Sequence, residues 1–138
     1  MTTSELTELL TMRLLTFGYE VQESDQQILS YLLGKTTEYV CNFCNFKNIP
    51  DDIPAALKYI VTDMAAGDFL QHKKTFSPGD LTGLNLDAAV KQVTTGDTTT
   101  VFGTGESSLT DEQRLSAFIN YLLTYGKHEL YNHRKVKW

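Results

Sequence analysis

No stretch of this chain approaches the 18 or so consecutive apolar residues of a membrane-spanning helix. Its first residues, MTTSELTELL, lack the basic region and apolar stretch of a secretory signal, so the expected compartment is a reducing cytoplasm. Only two cysteines occur, which is too few for a disulfide framework. Histidine is nearly as scarce, with His72, His128 and His133 scattered and showing no ligand spacing. A structural zinc site needs four ligands, so Cys41 and Cys44 read as reduced core residues. A redox CxxC opens a helix after a strand, whereas this one lies at the far end of an amphipathic helical pattern.

Catalytic signatures are missing as well. There is no HExxH and no nucleophile elbow. Gly34-Lys35-Thr36 resembles the end of a P-loop, but the glycine required five residues earlier is Leu29. Gly103-Thr104-Gly105 lacks the third glycine of a dinucleotide site. Asp63 and Asp68 share no helical face well enough for an acid/base pair and are expected to be solvated, like the histidines. The chain is therefore expected to be no enzyme, with no cofactor and no metal.

What is present is a helical pattern with an uneven charge. The 138 residues suggest one domain with a modest core. From Lys127 onward four cations face one acid, a net of +3, so residues 1–126 carry −8 of the overall −5. Duplex binding rests on phosphate neutralisation, so an acidic body argues against it. Helices are expected over about residues 4–16, ended by Gly18, and from a Ser24–Gln27 capping box, with Ile28, Leu29, Leu32, Leu33, Tyr39, Val40, Phe43 and Cys44 on one face. A third follows Pro54, placed in its first turn, and runs out near Gln71–Lys74. A fourth opens on a Thr110–Gln113 capping box and continues through Leu130.

Residues 75–108 differ, holding five of the nine glycines and much threonine. In KQVTTGDTTTVF, Gly96-Asp97 suits a two-residue hairpin loop and its flanks favour strand, although Leu86, Ala89, Val90 and Val93 also fit a helical period. The expected fold is thus mainly α, a bundle of about four helices with a short β-hairpin before the last. Residues 1–74 form the helical part, 75–108 the loop and hairpin, and 109–138 the last helix and a basic tail. A hairpin alone is marginal in water. Val93, Gly96, Asp97, Thr99 and Val101 are therefore candidates for contact with a neighbouring subunit.

The tail, YNHRKVKW, combines Tyr131, Arg134, Lys135, Lys137 and the only tryptophan, Trp138. Solvation alone does not call for that mixture. The last helix is expected to deliver it away from the core, as a docking segment.

The order of these segments, with SDQQIL, IPAALK, MAAGDFL, the GDTTTVF turn and the closing LYNHRKVKW, resembles the phage head–tail connector proteins, also called adaptor or head-completion proteins. The likeness is to the branch found in contractile-tailed phages and phage-like elements of Gram-positive bacteria. It implies a virion structural protein at the neck: a homo-oligomeric ring beneath the portal, formed in solution or only on the portal. Such a ring extends the DNA channel and meets the next neck or tail-completion protein, with DNA as passing cargo and no membrane partner. An acidic channel wall suits sliding DNA. The resemblance also implies synthesis in a bacterial host cytoplasm. The alternatives are a small cytoplasmic helical DNA-binding regulator and a CxxC oxidoreductase.

Overall fold

The third helix sets the architecture, because its middle is buried on nearly every side. In the computed structural model, which describes residues 2–87 and 110–135, the long helices are α1 (Thr3–Thr16), α2 (Gln26–Cys44), α3 (Lys58–Phe76) and α4 (Asp111–Thr124), followed by a short α5 (Lys127–Asn132). Helix α3 buries Ile60 through Gly67, then Phe69 and Leu70. It packs against α1, α2 and α4. A helix buried on nearly every side belongs in the centre of a bundle. Its Ala65-Ala66-Gly67 run admits close neighbours: a Cβ on Gly67 would stand 3.0 Å from Leu123 and 3.2 Å from Leu122.

Glycine ends α1 as expected. Gly18 has φ +92°, a left-handed conformation that side chains with a Cβ rarely adopt. Its N–H donates to Leu15 O at 3.0 Å and the Tyr19 N–H to Leu14 O at 3.0 Å, the two bonds of a Schellman cap. The same glycine lets a distant segment approach, since an added Cβ would lie 2.7 Å from Gly83 O. The Asn85 N–H donates to Phe17 O at 2.9 Å and fastens that approach.

Three element boundaries differ from the sequence reading. Ser24 lies inside a 3-10 turn, Glu23–Asp25, and the carboxylate that accepts a bond from the approach to α2 is Asp25, from the Gln22 N–H at 3.0 Å. Pro54 precedes a 3-10 turn, Ala55–Leu57, that feeds α3, which then runs to Phe76. The expected last helix is broken into α4 and α5 at Tyr125-Gly126. A Cβ on Gly126 would stand 2.4 Å from Ile60 Cγ2, so the chain passes against α3 where only glycine fits. The Thr110–Gln113 capping box forms as read, with Gln113 N–H to Thr110 Oγ1 at 3.1 Å and Thr110 N–H to Gln113 Oε1 at 2.9 Å. Among the described residues there is no strand. The expected hairpin, with Val93, Gly96, Asp97, Thr99 and Val101, lies outside the described residues.

Two polar knots tie the helices together. Asp25 is 3% exposed. It accepts bonds from Tyr19 Oη at 2.6 Å, the Gln22 N–H, and Lys73 Nζ at 2.8 Å. Lys73 Nζ also reaches Asp80 at 2.9 Å. Burial alone would raise the Asp25 carboxyl, but the bonds from Lys73, Tyr19 and Gln22 outweigh it and hold the group below its ordinary value. Burial, then the bond to Asp25, pushes the Tyr19 hydroxyl up to about 12. In the second knot, Asp63 accepts from Arg13 Nε at 2.7 Å and from Tyr125 Oη at 2.6 Å. Asp63 is 6% exposed, which overturns its expected solvation. Asp68 is half-buried, accepts a bond from Thr36 Oγ1 at 3.3 Å, and has its carboxyl raised by burial despite nearby Lys35 and Thr36.

Candidate interaction surface

The basic segment does not leave the core freely, as its sequence suggests. Up to Lys135, the last described residue, it is fastened to the C-terminal end of α2. The fastening begins with a cap. Asn45 has φ +62°, and the Phe46 N–H donates to Cys41 O at 2.8 Å and the Asn45 N–H to Asn42 O at 3.4 Å. Asparagine tolerates this left-handed conformation better than other residues with a Cβ.

The capped end still leaves carbonyls without intrahelical partners. One of them, Cys44 O, accepts the Lys135 N–H at 2.8 Å. The Asn45 side chain in turn donates from Nδ2 to Lys135 O at 2.6 Å. Residue 135 is therefore held through both of its backbone polar groups. Cys44 adds a thiol bond to Leu130 O at 3.4 Å. Arg134 and Lys135 place two cations at the negative end of the α2 dipole, where such charges are favoured.

Rings form the outer surface of this joint. Tyr39, Phe43 and Tyr131 make a chain, with centroids 6.1 Å apart for the first pair and 5.0 Å for the second. The Arg134 guanidinium lies over Phe43 at 5.4 Å, and the Lys135 ammonium over Phe46 at 5.4 Å. Tyr39 is 42% exposed and Tyr131 is 61% exposed. Arginine and tyrosine are the side chains that most often anchor protein interfaces. The joint brings both types together on its outer face.

Of the expected docking residues, the structure brings Tyr131, Arg134 and Lys135 together on this joint. Lys137 and Trp138 lie outside the described residues. Sequence reasoning missed Asn45, which has no conventional motif, and placed Tyr39 on a buried face, whereas Phe43, on the same expected face, is half-buried against the core. The buried positions there are Thr36, Thr37, Val40, Cys41 and Cys44. The signal was available in the spacing of Tyr31, Lys35, Tyr39 and Phe43, which forms a second stripe at four-residue intervals.

Cys41 and Cys44 are both buried with free thiols. Burial pushes both thiols up, with Arg134 opposing the rise at Cys44. That direction opposes thiolate chemistry. Both residues pack in the main core, with Val40 and Leu130.

Comparison with known proteins returned no matching family model, no matching curated protein and no matching solved structure.

Proposed function

We propose that this chain is a structural protein of the phage neck, forming a ring beneath the portal that extends the DNA channel and joins head to tail. Its expected partners are other copies of itself, the portal protein and the next neck or tail-completion protein. It would be made in the bacterial host cytoplasm and end at the head–tail junction of the virion, acting without enzymatic activity. The finer fold expectation, a subunit-contact hairpin around Gly96-Asp97, belongs to this proposal.

The observation that carries the reading is the fixed aromatic and basic joint at the end of α2. A bundle that carries −8 over residues 1–126 presents there a cation–aromatic surface backed by Asn45 and Cys44. That suits capture of an acidic protein surface, with the cations chiefly raising on-rate and salt sensitivity. The resemblance described above supplies the identity of the partner.

The joint also divides the segment into two testable parts. Residues 131–135 build the joint, whereas residues 136–138 lie beyond it. Removing residues 136–138 should abolish binding to immobilised portal protein while preserving the melting transition. Trp138→Ala alone should weaken binding by at least about 2 kcal/mol, as hot-spot truncations do. Tyr131→Ala, which removes the most exposed ring of the joint, should weaken portal binding as well, and portal binding unchanged by all three variants would refute the docking role. A salt-dependent gel shift with duplex DNA, in place of portal binding, would favour the DNA-binding regulator.

A further inference from the structure

The two cations of the joint are held differently. The Lys135 ammonium lies over Phe46, and its charge also reaches the Asp52 carboxyl. That carboxyl is held below its ordinary value first by the Asn48 N–H, then by the Asn48 side chain and the Lys47 N–H, with Lys135 contributing last. Asp52 accepts the Lys47 and Asn48 N–H groups at 3.1 Å and 3.0 Å, which fixes its position. Lys135 therefore has a fixed countercharge within its own chain.

Arg134 is exposed and, among the described residues, no carboxylate pairs with it. Its guanidinium is nevertheless placed. It lies over the Phe43 ring at 5.4 Å, and Tyr131 packs edge-on against the same ring at 5.0 Å. The backbone is held on both sides, by the Arg134 N–H to Tyr131 O at 3.2 Å and by the two bonds that fasten residue 135. A guanidinium stacked on a ring keeps its five N–H donors in its own plane, clear of that ring and open to another ligand. Placing it beforehand lowers the ordering cost of binding.

We infer that Arg134 reads the partner by taking one of its carboxylates through two parallel N–H bonds, while Lys135 acts at a distance. The inference rests on the docking reading for the partner's identity, and it adds which group makes the specific bond. A carboxylate matches the guanidinium fork in shape and charge, whereas an ammonium offers only a point charge. A run of phosphates does not suit this face. Exposed Glu38 stands beside Tyr39, and exposed Glu129 shares α5 with Tyr131, so a nucleic-acid backbone tracking these rings would meet both acids. A single carboxylate on Arg134 need not. The two cations then leave different kinetic marks: a desolvated, hydrogen-bonded pair sets dissociation, and a rim charge sets association and its salt dependence.

Arg134→Lys keeps the charge and removes the fork. It should speed dissociation from immobilised portal protein about tenfold, the loss of one of two charge-assisted bonds, with the association rate at its parental value. Lys135→Gln should slow association and flatten its salt dependence, with dissociation unchanged. A parental dissociation rate in Arg134→Lys overturns the inference, as does faster dissociation in Lys135→Gln. A second measurement needs no portal. At constant ionic strength, a hexaglutamate peptide at millimolar concentration should shift the Arg134 Nε–H resonance saturably. An unmoved resonance overturns the inference, and so does an oligothymidylate that saturates it at a lower concentration than the peptide. A parent that ignores portal protein yet shows the peptide titration upholds the carboxylate contact at Arg134 and overturns the docking reading alone.

Discussion

Replacing Asn45 tests the joint most sharply, because two substitutions separate its two roles. Asn45→Ala places an ordinary Cβ at φ +62°, which costs roughly 1–2 kcal/mol for a residue without asparagine's local hydrogen bonding. It also removes the Nδ2 bond to Lys135 O, worth about 1 kcal/mol net. Asn45→Gly loses only the second, because glycine is the preferred residue at a left-handed cap. The expected costs are therefore about 2–3 kcal/mol for alanine and about 1 kcal/mol or less for glycine. Urea unfolding measures both. Amide exchange at Lys135, whose N–H donates to Cys44 O, should quicken in either variant because one of the two bonds holding that residue is gone. Equal stabilities for alanine and glycine would refute the backbone argument. Unchanged Lys135 exchange in the glycine variant would refute the fastening.

Lys73→Met strands the buried Asp25 carboxylate, so it should cost about 3–5 kcal/mol at neutral pH in thermal or urea melts. The pH dependence should also flatten. In the parent, Asp25 titrates below its unfolded value, so its contribution is present above about pH 4 and is lost as pH falls through the lower folded value. In the variant, the bonds from Tyr19 and the Gln22 N–H remain but the cation is gone, so the carboxyl is held down less, and a smaller amount of stability should be lost as pH falls. Gly126→Ala should cost about 1–3 kcal/mol by overpacking against Ile60, read as a lowered melting temperature. Gly34→Ala should stabilise by about 0.5–1 kcal/mol, since an added Cβ meets nothing within 4 Å in mid-helix. Asp68→Asn should raise stability at pH 7 by a fraction of a kcal/mol after solvent screening, and the gain should shrink as the parent is taken to acid.

Local chemistry was legible in the sequence where it acts through neighbouring residues. Gly18 ends α1 because a left-handed residue is needed one place beyond the cap, and Thr110 and Gln113 cap α4 because their spacing is enough. What distant residues decide could not be read in that way. The break at Gly126 is set by Ile60 on α3, and nothing around residue 126 announces it. Asp63 looks like a surface acid until Arg13, 50 residues earlier, and Tyr125, 62 residues later, converge on it. Ser24 and Gln27 have the right spacing for a box, but the carboxylate of Asp25 takes the backbone bond there, from the Gln22 N–H, together with Tyr19 and Lys73. Tyr39 was misread because its ring is apolar enough to pass for core, whereas Phe43 does pack against the core from the edge of the stripe. Threonines 36 and 37 instead fill the buried positions, each with a side-chain bond.

The joint at residue 135 has a mechanical consequence. Tension applied to the segment beyond Lys135 meets two backbone anchors on the end of α2 before it can peel α5 turn by turn. The load then divides between the covalent path through α5 and the 19-residue α2, which is braced along its length by the central helix. A segment rooted this way pulls on the bundle as a body, so strain at a docking surface would be felt at α3 instead of being absorbed by a fraying end.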